Sequence, residues 1–171
     1  MTRWRMAAAA LLFHGAMLAA APGAGLAAQP VKLALFQFEL DDFSAALTGE
    51  TPADQAQLAT VTDEIGKLLE QSGRYALIDV SRTDAPPAKS HGLRDCNGCD
   101  AAIALQLGAE QSLVGVVKRI SRTEYQVRFQ LRDAKTGTIV AEADSGLRMG
   151  ALDSWGRGAR RLIKDRLLAK P

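Results

Sequence analysis

The fold of this chain is decided at Cys96-Asn97-Gly98-Cys99-Asp100-Ala101-Ala102-Ile103-Ala104-Leu105-Gln106-Leu107-Gly108-Ala109, which holds both cysteines. We expect a short helix from about Cys99 to Leu107, closed by Gly108. The residues that follow, Leu113 to Ile120, are almost continuously apolar, as in a strand buried on both faces of a sheet. Gly115 within this strand predicts that another group packs closely against its backbone.

Two predicted strands and a helix precede this stretch. Val31 to Phe38 is rich in β-branched and aromatic residues and predicts the first strand. An acidic loop over Glu39 to Ala53 follows, and Thr51-Pro52 then begins a helix that ends at Gly73. Tyr75 to Val80 predicts the second strand, which we expect to run parallel to the first because a helix connects them.

The remaining elements lie on either side of the central helix and strand. The segment Ser81 to Gly98 has no periodicity and is longer than most irregular connections. Tyr125 to Arg132 alternates apolar and polar side chains, and a hairpin turn returns the chain through Thr138 to Ser145. A last helix covers Leu152 to Ala169. The sequence therefore predicts a single α/β (α+β) domain in the order β-α-β-α-β-β-β-α, with a mixed five-stranded sheet.

The first 28 residues have the pattern of a secretory signal peptide. Arg3 and Arg5 precede an uncharged, Ala/Leu-rich run, and cleavage is expected near Ala27 or Ala28. The apolar run is too short to span a membrane, which needs about 20 residues. The predicted organisation is a signal peptide over 1–28 and one periplasmic or secreted domain over 29–171.

The charge balance and the missing motifs restrict the possible functions. Removing Arg3 and Arg5 from the 21 basic residues leaves 19, equal to the 19 acidic residues. A domain without net charge does not favour nucleic acid as a partner. The sequence has no phosphate-binding P-loop, no dinucleotide-binding glycine motif and no G-x-S-x-G nucleophile motif. We therefore expect no cofactor, and the case for an enzyme is weak.

The two cysteines, Cys96 and Cys99, have three possible roles. In an oxidising compartment a C-x-x-C pair most often forms a disulfide, which here would hold the long loop at the start of the helix. The second possibility is a redox-active dithiol, because a helix N-terminus lowers the pKa of a thiol. The third is a metal or small-ligand site with His91 as a further ligand, although the zinc-ribbon pattern is missing.

Two polar surfaces are candidates for binding. Asp41, Asp42 and His91 follow predicted parallel strands, whose carboxyl ends gather ligands in α/β sheets. They form a candidate ligand or partner edge; the alternative is that they are solvated loop residues. The candidate partner face consists of the outward side chains of the alternating strand, Gln126, Arg128, Gln130 and Arg132. The alternative for this row is the hydrated face of a sheet.

Several motifs resemble a bacterial secreted family known only as a domain of unknown function. They are the Cys-Asn-Gly-Cys start at 96–99, Val114 to Lys118, Arg132-Asp133-Ala134-Lys135-Thr136-Gly137 and Asp153-Ser154-Trp155. The resemblance spans roughly Val31 to Leu168 and departs at Asp153, where the family more often has an acidic pair. The order of elements is also similar to the N-terminal domain of TolB and to CsgG-like periplasmic proteins. That similarity implies protein–protein interaction in the envelope.

These observations favour an exported, non-catalytic binding or accessory protein of the cell envelope, with an envelope protein as its partner. The main alternative is a thiol-disulfide oxidoreductase that uses Cys96 and Cys99. A metal or small-ligand carrier at His91 is a further alternative.

Overall fold

The computed structural model describes residues 29–44, 50–90 and 92–169, and the structural statements below concern these residues. The predicted signal peptide and His91 lie outside them. The strands are β1 Val31–Leu35, β2 Glu39–Asp42, β3 Tyr75–Leu77, β4 Gln111–Arg119, β5 Glu124–Asp133, β6 Ile139–Asp144 and β7 Arg148–Met149. The α-helices are α1 Pro52–Gln71, α2 Pro86–Lys89, α3 Cys99–Gln106 and α4 Trp155–Arg166.

These strands form one mixed sheet in the order β3-β1-β4-β5-β6. β1 is parallel to both β3 and β4, whereas β5 is antiparallel to β4 and β6. The two short strands extend this path: β2 pairs with β4 beyond the end of β1, and β7 pairs with β5 beyond the end of β6. The predicted α+β class and the parallel pairing of the first two strands are confirmed.

The chain between β1 and β2 leaves the strand path at Phe36 to Phe38 and then rejoins β4. The backbone N–H of Phe38 donates to the Thr62 hydroxyl on α1 at 2.8 Å. The Phe38 ring lies against the backbone of Gly115, where an added Cβ would overlap the ring. The close packing predicted from Gly115 is therefore confirmed, and Phe38 is the packing group.

One face of the sheet is covered by α1 and α4, which enclose the larger core. Buried residues of α1 recur at helical spacing, at Leu58, Val61, Ile65 and Leu69. The buried apolar residues of α4 are Trp155, Ala159, Leu162 and Ile163. Opposite them, the apolar side chains of β5 are all buried, as the alternation predicted; they are Tyr125, Val127, Phe129 and Leu131.

The other face is covered by α3 and by the segment that precedes it. This smaller core is built from Ala34, Phe36, Leu93, Ile103, Ala104, Ala109, Val114, Val116 and Ala134. Both cysteines pack against its edge. β1 and β4 therefore have apolar groups on both faces, which explains their nearly continuous apolar sequences.

The structure differs from the sequence prediction at the acidic residues after β1 and in the long loop. Glu39–Asp42 is a strand rather than the start of a loop. The sequence suggested that the acidic side chains of this segment are solvated. In the structure, Glu39 and Asp42 instead accept hydrogen bonds from Leu93 and Arg119, which are remote in sequence. The predicted loop over Ser81 to Gly98 contains α2 and a 3-10 turn at Leu93–Asp95.

Candidate partner-binding site

Cys96 and Cys99 are joined in a disulfide at the start of α3, with their Cα atoms 5.6 Å apart. Both are half-buried, and the Sγ of Cys96 lies 3.2 Å from the Leu93 carbonyl oxygen. The disulfide predicted from the C-x-x-C spacing is thus present. A metal site on these sulfurs would require both as free thiolates.

The chain reverses direction between the two cysteines. Asn97 has φ +48° and Gly98 has φ +103°, both in the left-handed region. Gly tolerates this region freely, and Asn does so better than most residues. We call residues 92–99, which include this reversal, the disulfide segment.

A buried carboxylate fixes the disulfide segment to the sheet. Glu39 on β2 is 1% exposed and accepts hydrogen bonds from the backbone N–H groups of Leu93 at 2.7 Å and Arg94 at 3.0 Å. The Arg94 guanidinium adds an ion pair at 3.3 Å. A buried carboxylate is costly unless it is paired and hydrogen-bonded, and Glu39 is both. The sequence analysis missed this residue because its partners lie 54 and 55 positions away.

A second buried carboxylate ties α3 to the sheet. Asp100 is 2% exposed and accepts a 2.5 Å hydrogen bond from the Ser112 hydroxyl on β4. Its other oxygen faces the Nε of Arg132 on β5 at 3.6 Å. Asp100 therefore links the first turn of α3 to two strands. Sequence reasoning missed it too, since an acidic residue in a first helical turn is also explained by the helix dipole.

Between the disulfide segment and β5 lies a groove of about 180 Å³. Its polar lining comes from Arg94, Asp95, Asn97, Asp100, Arg128, Gln130 and Arg132. The groove brings together two features that are separate in the sequence: the turn between the two cysteines, and three members of the candidate partner face.

The four outward residues of β5, which we call the β5 row, have different surroundings. Gln126 donates to Asp144 at 3.0 Å and Gln130 donates to Glu142 at 3.2 Å. Arg132 is largely buried, with the carbonyl of Gly137 as a further partner. The Arg128 side chain is exposed and makes no hydrogen bond or ion pair with any other residue in the described part of the chain.

Of the predicted edge of Asp41, Asp42 and His91, the structure describes the two aspartates, and it places them on opposite faces of the sheet. Asp42 lies on the α1 side, where Arg119 pairs with it at 2.5 Å and with Asp54 at 2.7 Å. The Arg119 hydrogen bond lowers the pKa of Asp42 from 3.8 to about 2. Because strand residues alternate between faces, Asp41 lies on the opposite face from Asp42. A role in ligand binding for Asp41, Asp42 or His91 stays a prediction.

Two kinds of feature are absent from the described residues. No group of three or more His, Cys, Asp or Glu residues among them is arranged to hold a metal ion. In the same residues, no helix has the length and apolar character needed to cross a membrane.

The fold and the groove describe a small α+β domain whose two sheet faces carry separate cores. The family model of DUF3280, described as "Protein of unknown function (DUF2380)", matches residues 31–167, and the chain belongs to this family. The sequence resemblance to a family of unknown function is confirmed at this level, while the individual motifs stay a prediction. No curated protein matches the chain.

Several solved structures are similar to this chain. A PelC dodecamer from Paraburkholderia phytofirmans has a TM-score of 0.50 at 19% identity, covering 84% of this chain and 92% of that one. The LpoB C-terminal domain from Salmonella enterica has a TM-score of 0.49 at 17% identity, covering 73% and 87%. TolB from Acinetobacter baumannii has a TM-score of 0.44 at 20% identity, covering 80% of this chain and 27% of TolB.

These likenesses concern the fold alone, because the identities are low. TolB is among the similar structures, as the order of elements led us to expect. The resemblance to CsgG-like proteins stays a prediction.

Proposed function

We propose that the chain is an exported, non-catalytic binding domain of the cell envelope that holds a protein partner at the groove beside the disulfide segment. The observation that carries the proposal is the exposed Arg128 guanidinium, which has no partner among the described residues and borders a groove with fixed walls. The signal-like sequence at 1–28 supports export.

The walls of the groove support binding because they are held in place before a partner arrives. The disulfide, the Glu39 hydrogen bonds and the Asp100–Ser112 hydrogen bond fix one side. The other side is β5, in the middle of the sheet. A preorganised site loses less conformational entropy on binding and so gains affinity.

The size of the groove favours a protein partner over a small ligand. Pockets for small molecules usually measure about 300–1,000 Å³. At about 180 Å³ the groove has room for one or two side chains of a partner. Arg128 is suited to the edge of such a contact, because arginine is enriched at protein interfaces.

Site-specific crosslinking in cells tests this proposal. A photo-crosslinking residue at Arg128 should capture a defined envelope protein, identified by mass spectrometry, whereas one at the exposed Lys67 on α1 should not. The substitution Gln130→Trp should fill the groove and abolish the crosslink. The matched control is Gln126→Trp, in the same row but outside the groove lining, and it should leave the crosslink intact.

Two results would count against the proposal. One is capture of the same species from Arg128 and Lys67. The other is a crosslink from Arg128 that survives Gln130→Trp. Export is tested separately: the mature chain should begin near Ala28 or Gln29 and be recovered by osmotic shock.

Thiol-disulfide exchange is a second candidate because Cys99 is the first residue of α3. A helix N-terminus stabilises a thiolate and raises its availability for exchange. The half-burial of both cysteines against the smaller core favours a structural role instead. Their reduction potential separates the two functions.

A further inference from the structure

One edge of the sheet, formed by β6 and β7, carries an unusual number of exposed apolar side chains. Ile139 is 42% exposed, Val140 49%, Leu147 62% and Met149 72%. They are four of the seven large apolar side chains that are exposed in the described part of the chain. Exposed apolar groups concentrated along one edge mark an interaction surface rather than scattered surface residues.

β6 also presents unpaired backbone groups along this edge. Its strand neighbour in the described sheet is β5. The backbone N–H of Ser145 donates to Val127 at 2.8 Å, which makes these two residues a hydrogen-bonded pair. Because such pairs alternate in an antiparallel ladder, Ala143 and Ala141 also face β5, and the backbone groups of Glu142 and Asp144 point away from the sheet.

The side chains of β6 determine which strand would fit there. Glu142 and Asp144 are two positions apart and therefore lie on the same face of the sheet. Their side chains accept hydrogen bonds from the neutral amides of Gln130 and Gln126, and Arg128 of β5 lies directly opposite Asp144. An added strand would place its side chains directly opposite these two carboxylates.

The same charges disfavour a second copy of this chain as the occupant. Ile139–Asp144 contains two carboxylates and no cation. Antiparallel pairing of two such strands brings acidic residues together, and like charges on paired strands are destabilising. The acidic residues, together with the register irregularity of the β5–β6 pair near Arg132, also disfavour edge-to-edge pairing of two copies.

We propose that the β6 edge binds an extended segment of a protein partner that carries Lys or Arg at alternate positions and adds to the sheet as a further strand. Main-chain hydrogen bonds to Glu142 and Asp144 would supply affinity, and the two carboxylates would select cationic side chains. This surface adjoins the groove at Arg128 and Gln130, which lie on the same face of the sheet as Glu142 and Asp144.

The probe is a short synthetic peptide in which Lys alternates with Val, compared with one in which Glu replaces Lys. The Lys peptide should bind the folded chain and protect the backbone amides of Glu142 and Asp144 from hydrogen exchange. Glu142→Lys with Asp144→Lys should weaken binding by roughly tenfold, because two favourable cross-strand pairs become repulsive. Glu142→Pro should also block binding, since it removes an outward donor that β5 does not use.

The control replaces two other carboxylates by Lys, at positions away from the β6 edge. Asp63→Lys with Glu70→Lys, on the exposed face of α1, should leave peptide binding unchanged. Asp95→Ala, which changes the groove lining but not the surroundings of Glu142 and Asp144, should leave peptide binding unchanged, so the two surfaces are distinguishable. Thermal unfolding of every variant establishes that it is folded.

Three outcomes would overturn the inference. The first is peptide binding without protection of the Glu142 and Asp144 amides. The second is equal affinity for the Lys peptide in the wild type and in the Glu142→Lys, Asp144→Lys variant. The third is concentration-dependent protection of these amides by the chain alone, which would make a second copy the occupant.

Discussion

The Glu39 carboxylate accepts a hydrogen bond from the Leu93 backbone N–H at 2.7 Å, across a sequence separation of 54 positions. This contact joins β2 to the disulfide segment and so fixes the position of the residues that form one wall of the groove. A buried acid that is satisfied largely by backbone donors has a positioning role, because neither of its oxygens is left to meet a ligand.

Glu39→Ala should therefore loosen the groove. It leaves two buried or half-buried N–H groups without an acceptor, which we expect to lower the free energy of unfolding by about 2–4 kcal/mol. Urea denaturation measures the loss, and amide exchange should speed up most over residues 92–98. Glu70→Ala, on an exposed position of α1, should change stability by less than about 0.5 kcal/mol. Equal effects of the two variants would contradict the positioning role.

Gly115→Ala should be unusually costly for a change of one methyl group. The new Cβ would overlap the Phe38 ring, which is 1% exposed and has no free space to enter. Overpacking of this kind costs about 1–3 kcal/mol. Phe38→Leu should be destabilising alone but should partly rescue Gly115→Ala, which a double-mutant cycle of unfolding free energies would reveal. Strictly additive effects would mean that the two sites do not interact.

The Asp42–Arg119 pair should make stability depend on pH in the acid range. The folded pKa of Asp42, about 2, lies below its ordinary value of 3.8, chiefly because of the Arg119 hydrogen bond. The stabilisation is therefore fully present above about pH 4 and is lost as pH falls towards 2. Asp42→Asn should be less stable at neutral pH, and its stability should fall less steeply over this range in thermal unfolding.

Arg119→Met tests the same pair from the cationic side. It leaves the Asp42 and Asp54 carboxylates buried without their cation, which should cost about 3–5 kcal/mol at neutral pH. Part of this loss should be recovered as pH falls, because protonation of Asp42 removes its uncompensated charge. If the loss of stability between about pH 4 and pH 2 is the same in this variant as in the wild type, Arg119 does not set the pKa of Asp42.

Removing the disulfide should distinguish structure from redox chemistry. Its short loop contributes only about 2 kcal/mol through chain entropy, so Cys96→Ser with Cys99→Ser should keep the domain folded while amide exchange accelerates in the disulfide segment. A structural bond should have a potential below about −300 mV, whereas a catalytic pair should lie near −120 to −270 mV. A potential in the catalytic range, with turnover of a mixed-disulfide substrate lost in the variant, would favour an oxidoreductase.

The parts of the fold that could be predicted are those with a local pattern. The alternation of β5 identified four buried residues, and Gly115 indicated a close contact. Thr51 was expected to cap α1, and its hydroxyl does accept from the Asp54 N–H. Each of these signals depends on neighbours in sequence or on a residue type with one strong preference.

The candidate site was harder to predict because its buried charges depend on remote partners. From the sequence, Glu39 and Asp42 both look like solvated acidic residues of a loop. In the structure, Glu39 forms an ion pair with Arg94, and Asp42 forms one with Arg119. The groove itself arises where the disulfide segment crosses β5, and no local pattern encodes that crossing. The sequence signal that was available is Glu39 next to the apolar Leu40, which could indicate a short strand. The aspartates that follow made the segment look like an acidic loop instead.

The position of β1 between β3 and β4 has a consequence for the order of assembly. β4 and β5 form an antiparallel hairpin that closes a short loop, whereas the contact of Lys32 with Glu110 bridges 78 positions. Closing the longer loop costs more entropy, so we expect the hairpin to form early and β1 to insert late. A chain that emerges N-terminus first would leave the β4 side of its first strand unpaired until β4 has emerged. During that interval β1 would be the segment most open to a chaperone, and pulse-labelled hydrogen exchange would show its amides protected after those of β5.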